Sequence, residues 1–180
     1  TFVGGLNNKI ATAMSSISGW TNSTTIGAPG NDQSSNNSSG FNSLPVGVRN
    51  TEGLFYNDNI NIAYESEYAF FWTSSETDIN YSPAHRLYYN DIYIQINPYL
   101  DKNYGFSVRF IRNASTASVA DGTANDQDGN TFEWINYGEQ DWSIENAEVV
   151  TYRDGTPIPQ VTDPNEWSNL TKGAWCYYDN

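Results

Sequence analysis

Large apolar residues in this chain come in short aromatic and β-branched bursts separated by Asn, Asp, Gly and Pro. On that pattern Leu54–Tyr56, Ala63–Trp72, His85–Tyr89, Ile92–Ile96 and Phe106–Ile111 read as short strands, as do Thr131–Asn136 and Asp141–Val150. Tyr89-Asn90-Asp91-Ile92 predicts a hairpin turn, although it lacks the glycine such turns favour. Helical signals are fewer. Thr1–Ser16 carries Phe2, Val3, Leu6, Ile10 and Met14 at helix-like spacing, with Gly4-Gly5 either interrupting that helix or capping an earlier one. Asp163-Pro164-Asn165-Glu166 combines an N-cap, a first-position proline and a capping-box acid, and predicts a short helix ending near Gly173. Thr21–Ser39 is a long Asn/Ser/Thr/Gly loop of the kind that is usually functional or modified.

The pattern breaks once more, at Asn113–Asp128 (NASTASVADGTANDQD). This stretch is small and polar and predicts a flexible linker. Tyr104–Arg112 reads as a strand that ends before it, and Gly129–Tyr137 as a strand that begins after it. The chain thus divides into 1–112, a linker 113–128, and 129–180. Neither flank reads as a complete domain.

Composition changes this picture in three ways. Hydrophobic residues make up only 38%, but six Trp, thirteen Tyr and eight Phe supply large buried areas, so the chain folds. Asp and Glu outnumber Lys and Arg by 21 to 8, a net charge of −13. That charge repels phosphate backbones and anionic lipid, which argues against nucleic-acid partners. It is compatible with divalent cations such as calcium or with simple solubility, and no cofactor is expected. No apolar run approaches the roughly eighteen residues of a membrane span, so membrane insertion is not expected. Few lysines and many Asn, Ser, Thr and Tyr lean towards the cell exterior. A start at Thr1 without a signal-peptide pattern reads as a mature product or an excerpt. Cys176 is the one cysteine, which excludes an internal disulfide and predicts a packed, non-catalytic thiol.

The candidate chemistry is sparse. Asp126, Asp128 and Asn130 resemble part of a calcium loop. Placing Gly129 at the loop's glycine puts Ala124 and Ile135 where the first and last ligands belong, so an Asx-turn entering a strand is the stronger reading. His85 is the single histidine and stands without a nucleophile elbow. Asp141 and Glu145 have no spacing that selects them for acid–base work over a solvated surface. Asn-x-Ser/Thr triplets begin at Asn22, Asn36, Asn37, Asn80, Asn113 and Asn169; of these Asn22, Asn36, Asn37 and Asn113 fall in loops or the junction and are glycosylation candidates.

Two groups of residues carry a resemblance. After the junction these are Asp128-Gly129-Asn130, Gly138, Gln140-Asp141-Trp142, Glu145-Asn146, Tyr152-Arg153-Asp154-Gly155, Ile158, Trp167 and Ala174-Trp175-Cys176-Tyr177-Tyr178. Before it they are Gly4-Gly5, Gly19-Trp20, Gly40-Phe41, Pro45, Arg49, Phe71-Trp72-Thr73-Ser74-Ser75 and Gly105-Phe106-Ser107-Val108-Arg109. The first group resembles the beginning, and the second the end, of the Fibrobacter succinogenes major paralogous domain of bacterial surface and secreted proteins. The halves stand in swapped order and the family's central segment is missing. Phe110 replaces a cysteine that often follows the Ser-Val-Arg run. The resemblance implies an α+β, C-type-lectin-like fold of short antiparallel strands, long loops and one or two short helices, in which the terminal strands 104–112 and 131–137 pair. It implies no catalysis and a display or adhesion role outside a bacterial cell, with ligands poorly defined; a carbohydrate-binding or adhesion module with glycans as partners is the alternative reading.

The swapped order also predicts assembly. New ends at Thr1 and Asn180, without the central segment, leave Phe2, Val3, Leu6, Trp175 and Tyr177 uncovered, so copies of the chain are expected to complete one another in a filament, the alternative being a longer chain whose missing part covers these residues.

Overall fold

A computed structural model describes residues 10–57, 62, 63, 65–114 and 121–178. Helix α1 (Ile10–Met14) is the described part of the predicted first helix and buries Ala11 and Ala13. Its end is marked by Ser15, whose hydroxyl donates to the Ala11 carbonyl at 2.7 Å. Phe2, Val3, Gly4, Gly5 and Leu6 lie outside the described residues.

Nine short strands follow among the described residues. β1 (Tyr56–Asn57) and β2 (Ile62–Ala63) pair with each other. β3 (Tyr68–Trp72), β4 (Tyr81–Tyr88) and β5 (Gln95–Asp101) form an antiparallel meander with β5 at its edge. β6 (Ile111–Asn113), β7 (Asp121–Asn125), β8 (Thr131–Asn136) and β9 (Gln140–Ser143) form a second antiparallel sheet in the order β6-β9-β8-β7. Helix α2 (Pro164–Ser168) completes the set. Short antiparallel strands with two one-turn helices make the α+β class expected from the pattern.

Several boundaries differ from the expectation. The predicted strand Ala63–Trp72 is split because Ser66 takes a left-handed φ of 64°, and its N–H donates to Pro45. β4 begins upstream of His85 and carries Pro83 at an irregularity between Ser82 and Ala84, which spares the ladder the missing N–H. β5 lies downstream of Ile92–Ile96; as an exposed edge it needs no apolar alternation. α2 has the predicted N-cap, with Asp163 accepting from the Glu166 N–H at 2.8 Å, but ends at Asn169 and not near Gly173.

The linker 113–128 is the largest departure, because β7 lies inside it. Asp121–Asn125 has no apolar face to bury; it pairs with β8 from Asn125↔Thr131 to Asp121↔Ile135. The hairpin closes through Asp126–Asn130, where Gly129 takes φ 86°. Tyr104–Arg112 and Thr131–Tyr137 do not pair directly either. The edges of β8 go to β7 and β9, its neighbours in sequence, and β9 stands between β6 and β8. Local hairpins close smaller loops than the predicted long-range pair would.

One core serves both flanks of the junction. Ala11, Trp20, Phe41, Ala69, Phe71 and Leu87 are buried together, and Tyr137 and Trp142 from beyond the junction pack against them. Phe41 meets Phe71 and Trp142 edge-on at 5.4 and 6.0 Å.

Candidate functional site

The segment 105–113 joins the two halves. Arg49 and Gly105 exchange backbone hydrogen bonds at 3.0 and 2.8 Å, and Trp72 N–H donates to Ser107 at 3.2 Å. Further along the same segment, Val108 accepts from Ala147 N–H at 2.8 Å and Phe110 from Ser143 N–H at 3.0 Å. β6 then pairs with β9. Predicted as one strand, 106–111 therefore shares its backbone between two partners and forms only isolated bridges before β6.

Three arginines pin the seam. Arg49 is only 2% exposed; its Nε donates to Gly53 at 2.9 Å, Nη1 to the Val161 carbonyl, and Nη2 to Thr162 at 2.7 Å. Its guanidinium lies 4.2 Å from the Trp167 ring centre. Gly105 must stay small here, since a Cβ would stand 3.1 Å from both Arg49 and Trp167. Arg109 donates to Asn146 Oδ1 at 2.7 Å, to Ser143 at 3.1 Å and to Asn42 at 3.3 Å, and covers Phe41 at 4.9 Å. Burial pulls its pKa down to about 10, so it stays charged at neutral pH. Arg112 pairs with Asp141 at 3.1 Å over the Trp134 ring. Asn136 and Arg112 hold the Asp141 carboxyl below the usual carboxylate range.

Beside these pins the halves leave a cleft of about 450 Å³. Val46, Val48, Phe106 and Val108 line it from before the junction, and Val149, Ile158, Trp167 and Trp175 from after it. Of its polar members, Asn146 is engaged: it binds Arg109 and donates to Ser107 Oγ at 3.2 Å. The cleft suits an apolar occupant. Of the predicted assembly residues, Trp175 and Tyr177 both line it. Trp175 is fixed within the chain, donating from Nε1 to Ile158 at 3.0 Å and from its backbone to Pro159. Tyr177, edge-on to Trp175 at 5.2 Å, is 66% exposed. Cys176 lines the same cleft, half-buried. The halves thus close on each other inside one chain. An exchange of whole halves between copies is not needed to complete the core.

Asp126, Asp128 and Asn130 do come together, as a turn. Asp126 Oδ1 accepts from the N–H groups of Asp128 and Asn130 at 2.9 and 3.0 Å, and its Oδ2 from Asn130 Nδ2 at 2.9 Å. Asp128 accepts from Val150 N–H at 2.7 Å, Thr151 N–H at 3.1 Å and the Thr151 hydroxyl at 2.6 Å. These bonds hold the Asp128 carboxyl below its ordinary range. Among the described residues no three His, Cys, Asp or Glu side chains gather as a metal site. His85 sits mid-strand between Phe71 and Ile96 in register, and burial lowers its pKa.

The glycosylation candidates separate by burial. Asn22 and Asn113 are exposed. Asn37 has φ 65° and accepts from Asn42 N–H at 2.8 Å. Asn36 is a correction: it is buried, and its amide donates both hydrogens, to Ser16 and Pro29 at 2.9 and 3.0 Å. A glycan there is incompatible with this fold. The structural role of the three arginines was missed in the sequence. Their one sequence signal was that a chain with only eight Lys and Arg residues carries these three next to apolar residues.

No helix among the described residues is long and apolar enough to cross a membrane. In comparisons with known proteins, the family model of the Fibrobacter succinogenes major domain matches residues 7–112. No curated protein and no solved structure matches the chain.

Proposed function

Because the chain belongs to the Fibrobacter succinogenes major domain family, we propose that it is a non-catalytic structural module of the bacterial cell exterior. In this reading it is the repeating subunit of a surface filament. Each copy inserts an apolar segment into the seam cleft of the next, a head-to-tail contact that does not close on itself. The observation that carries it is the cleft of about 450 Å³, apolar in lining and edged by the exposed Tyr177. Phe2, Val3 and Leu6 are the stretch of this chain whose composition suits such a cleft. Residues from both sides of the junction share one core within one chain, so the neighbour adds a plug and not a half-domain.

Light scattering after size exclusion, with negative-stain images over a range of concentrations, tests this reading. Concentration-dependent oligomers that disappear in Tyr177→Ser support it. A monomer at every concentration, with the full chain intact by mass, sinks it. A carbohydrate-binding or adhesion module is the second reading, favoured by a different cleft.

A further inference from the structure

The geometry points to a saccharide-binding site in a second cleft, of about 300 Å³, between the 50–52 turn and the outer face of the β3-β4-β5 sheet. The inference rests on the adhesion reading for its ligand class and adds the site and its residues. One side of the cleft is a column of rings: Phe70 stacks on Phe106 at 4.8 Å and Phe106 on Tyr104 at 5.4 Å, with interplanar angles of 15° and 22°. Phe70 is buried at the base of the column, so the half-buried Phe106 and Tyr104 are the rings that the apolar C–H face of a pyranose would meet.

Around the rings stand polar groups that the fold orients but does not use. Asn50 Oδ1 accepts from the N–H groups of Glu52 and Leu54 at 3.0 and 2.8 Å, which fixes the amide. Its Nδ2 makes no hydrogen bond to a described residue. Asn97 repeats the arrangement, with Oδ1 on the Tyr99 N–H at 3.2 Å and Nδ2 unused. Arg86 is locked by Gln95 Oε1, which takes Nε at 2.8 Å and also Nη2, leaving Nη1. The Glu52 carboxylate has no ion pair or hydrogen bond among the described residues, so it remains an acceptor. Three pre-oriented donors and one acceptor around an aromatic surface match adjacent ring hydroxyls, which both donate and accept.

The alternatives fit less well. A phosphate would meet Glu52 beside Arg86 on a chain of net charge −13. An added peptide strand would find the β5 edge blunted. Pro98 has no N–H, the Tyr99 N–H is held by Asn97, and the Pro98 carbonyl accepts from Thr77 Oγ1.

Titration calorimetry of the full chain with hexaoses of β-1,4-glucose, β-1,4-xylose, β-1,4-mannose, α-1,4-glucose and β-1,4-N-acetylglucosamine tests the site. Glu52→Gln and Asn97→Asp are nearly isosteric; Asn97→Asp keeps the oxygen that holds Tyr99. We expect at least one hexaose to bind, each substitution to weaken it about tenfold or more, and Tyr177→Ser to leave it unchanged. Binding unaffected by both Glu52→Gln and Asn97→Asp would overturn this site and leave the adhesion reading standing. Binding of none of the five would overturn both.

Discussion

Arg49→Ala should be among the most destabilising single changes in this protein. Removing the side chain strips donors from three carbonyls. Thr162 is exposed, so water replaces the donor there; Gly53 and Val161 are buried and are left unpaired. Two orphaned buried acceptors cost about 1–3 kcal/mol each, and losing the cation over Trp167 adds about 0.5–2 kcal/mol. A middle value of the sum is about 5 kcal/mol. Unfolding a chain of this length carries an entropy of about 0.4 kcal/mol/K at roughly 2.1 cal/mol/K per residue. The melting temperature should therefore fall by about 13 °C. Differential scanning calorimetry measures it, with Arg49→Met separating the lost donors from the lost packing. Lys102→Ala is the control. Its ammonium meets the Glu76 carboxylate at 2.6 Å and the carbonyls of the exposed Asp78 and Ile79, where water can replace it, and surface pairs of this kind contribute about 1 kcal/mol or less. If Arg49→Ala melts within about 3 °C of the wild type, as the control should, Arg49 does not pin the seam and the role given to it is wrong.

Three further outcomes follow from the same contacts. EDTA should leave the melting temperature unchanged, because the oxygens of Asp126 and Asp128 are already taken by backbone N–H groups and Thr151; a drop of many degrees would mean the turn binds calcium. Asp128, Asp141 and Asp154 all have pKa values held below their ordinary range by hydrogen bonds. Folded values depressed below the unfolded ones stabilise above the unfolded pKa, about 3.9, and that contribution is lost as pH falls through the folded values. Urea midpoints measured downward from pH 5 should fall in that window, and Asp141→Asn should flatten the fall. Cys176→Ser should keep the fold and any oligomer or saccharide binding, since serine is close in size to the half-buried thiol lining the seam cleft; loss of binding in a variant with a native melting profile would give it a role not assigned to it.

What could be read from the sequence was whatever depends on local chemistry. The strand-rich pattern, the Asp163 cap and the tight Asp126–Asn130 turn each follow from residue type and spacing within a few positions, and each is present. The family was legible in 7–112 because motif residues such as Gly40-Phe41 and Gly105-Phe106 keep their identity and spacing. What needed the folded chain was everything decided by pairing. β7 has no side-chain signal, because a strand made of Asp-Gly-Thr-Ala-Asn is held by backbone bonds to β8 and not by burial. The edge strand β5 shifted because an exposed face imposes no apolar alternation. The direct pairing of 104–112 with 131–137 gave way to β9, whose hairpin with β8 closes a shorter loop. Asn36 read as a free sequon until the fold buried both of its amide hydrogens. The two clefts exist only where distant segments meet: the first between halves that the junction separates, the second between the 50–52 turn and the sheet face. No window of sequence contains either, because their lining residues become neighbours only after the seam arginines and the shared core bring the segments together.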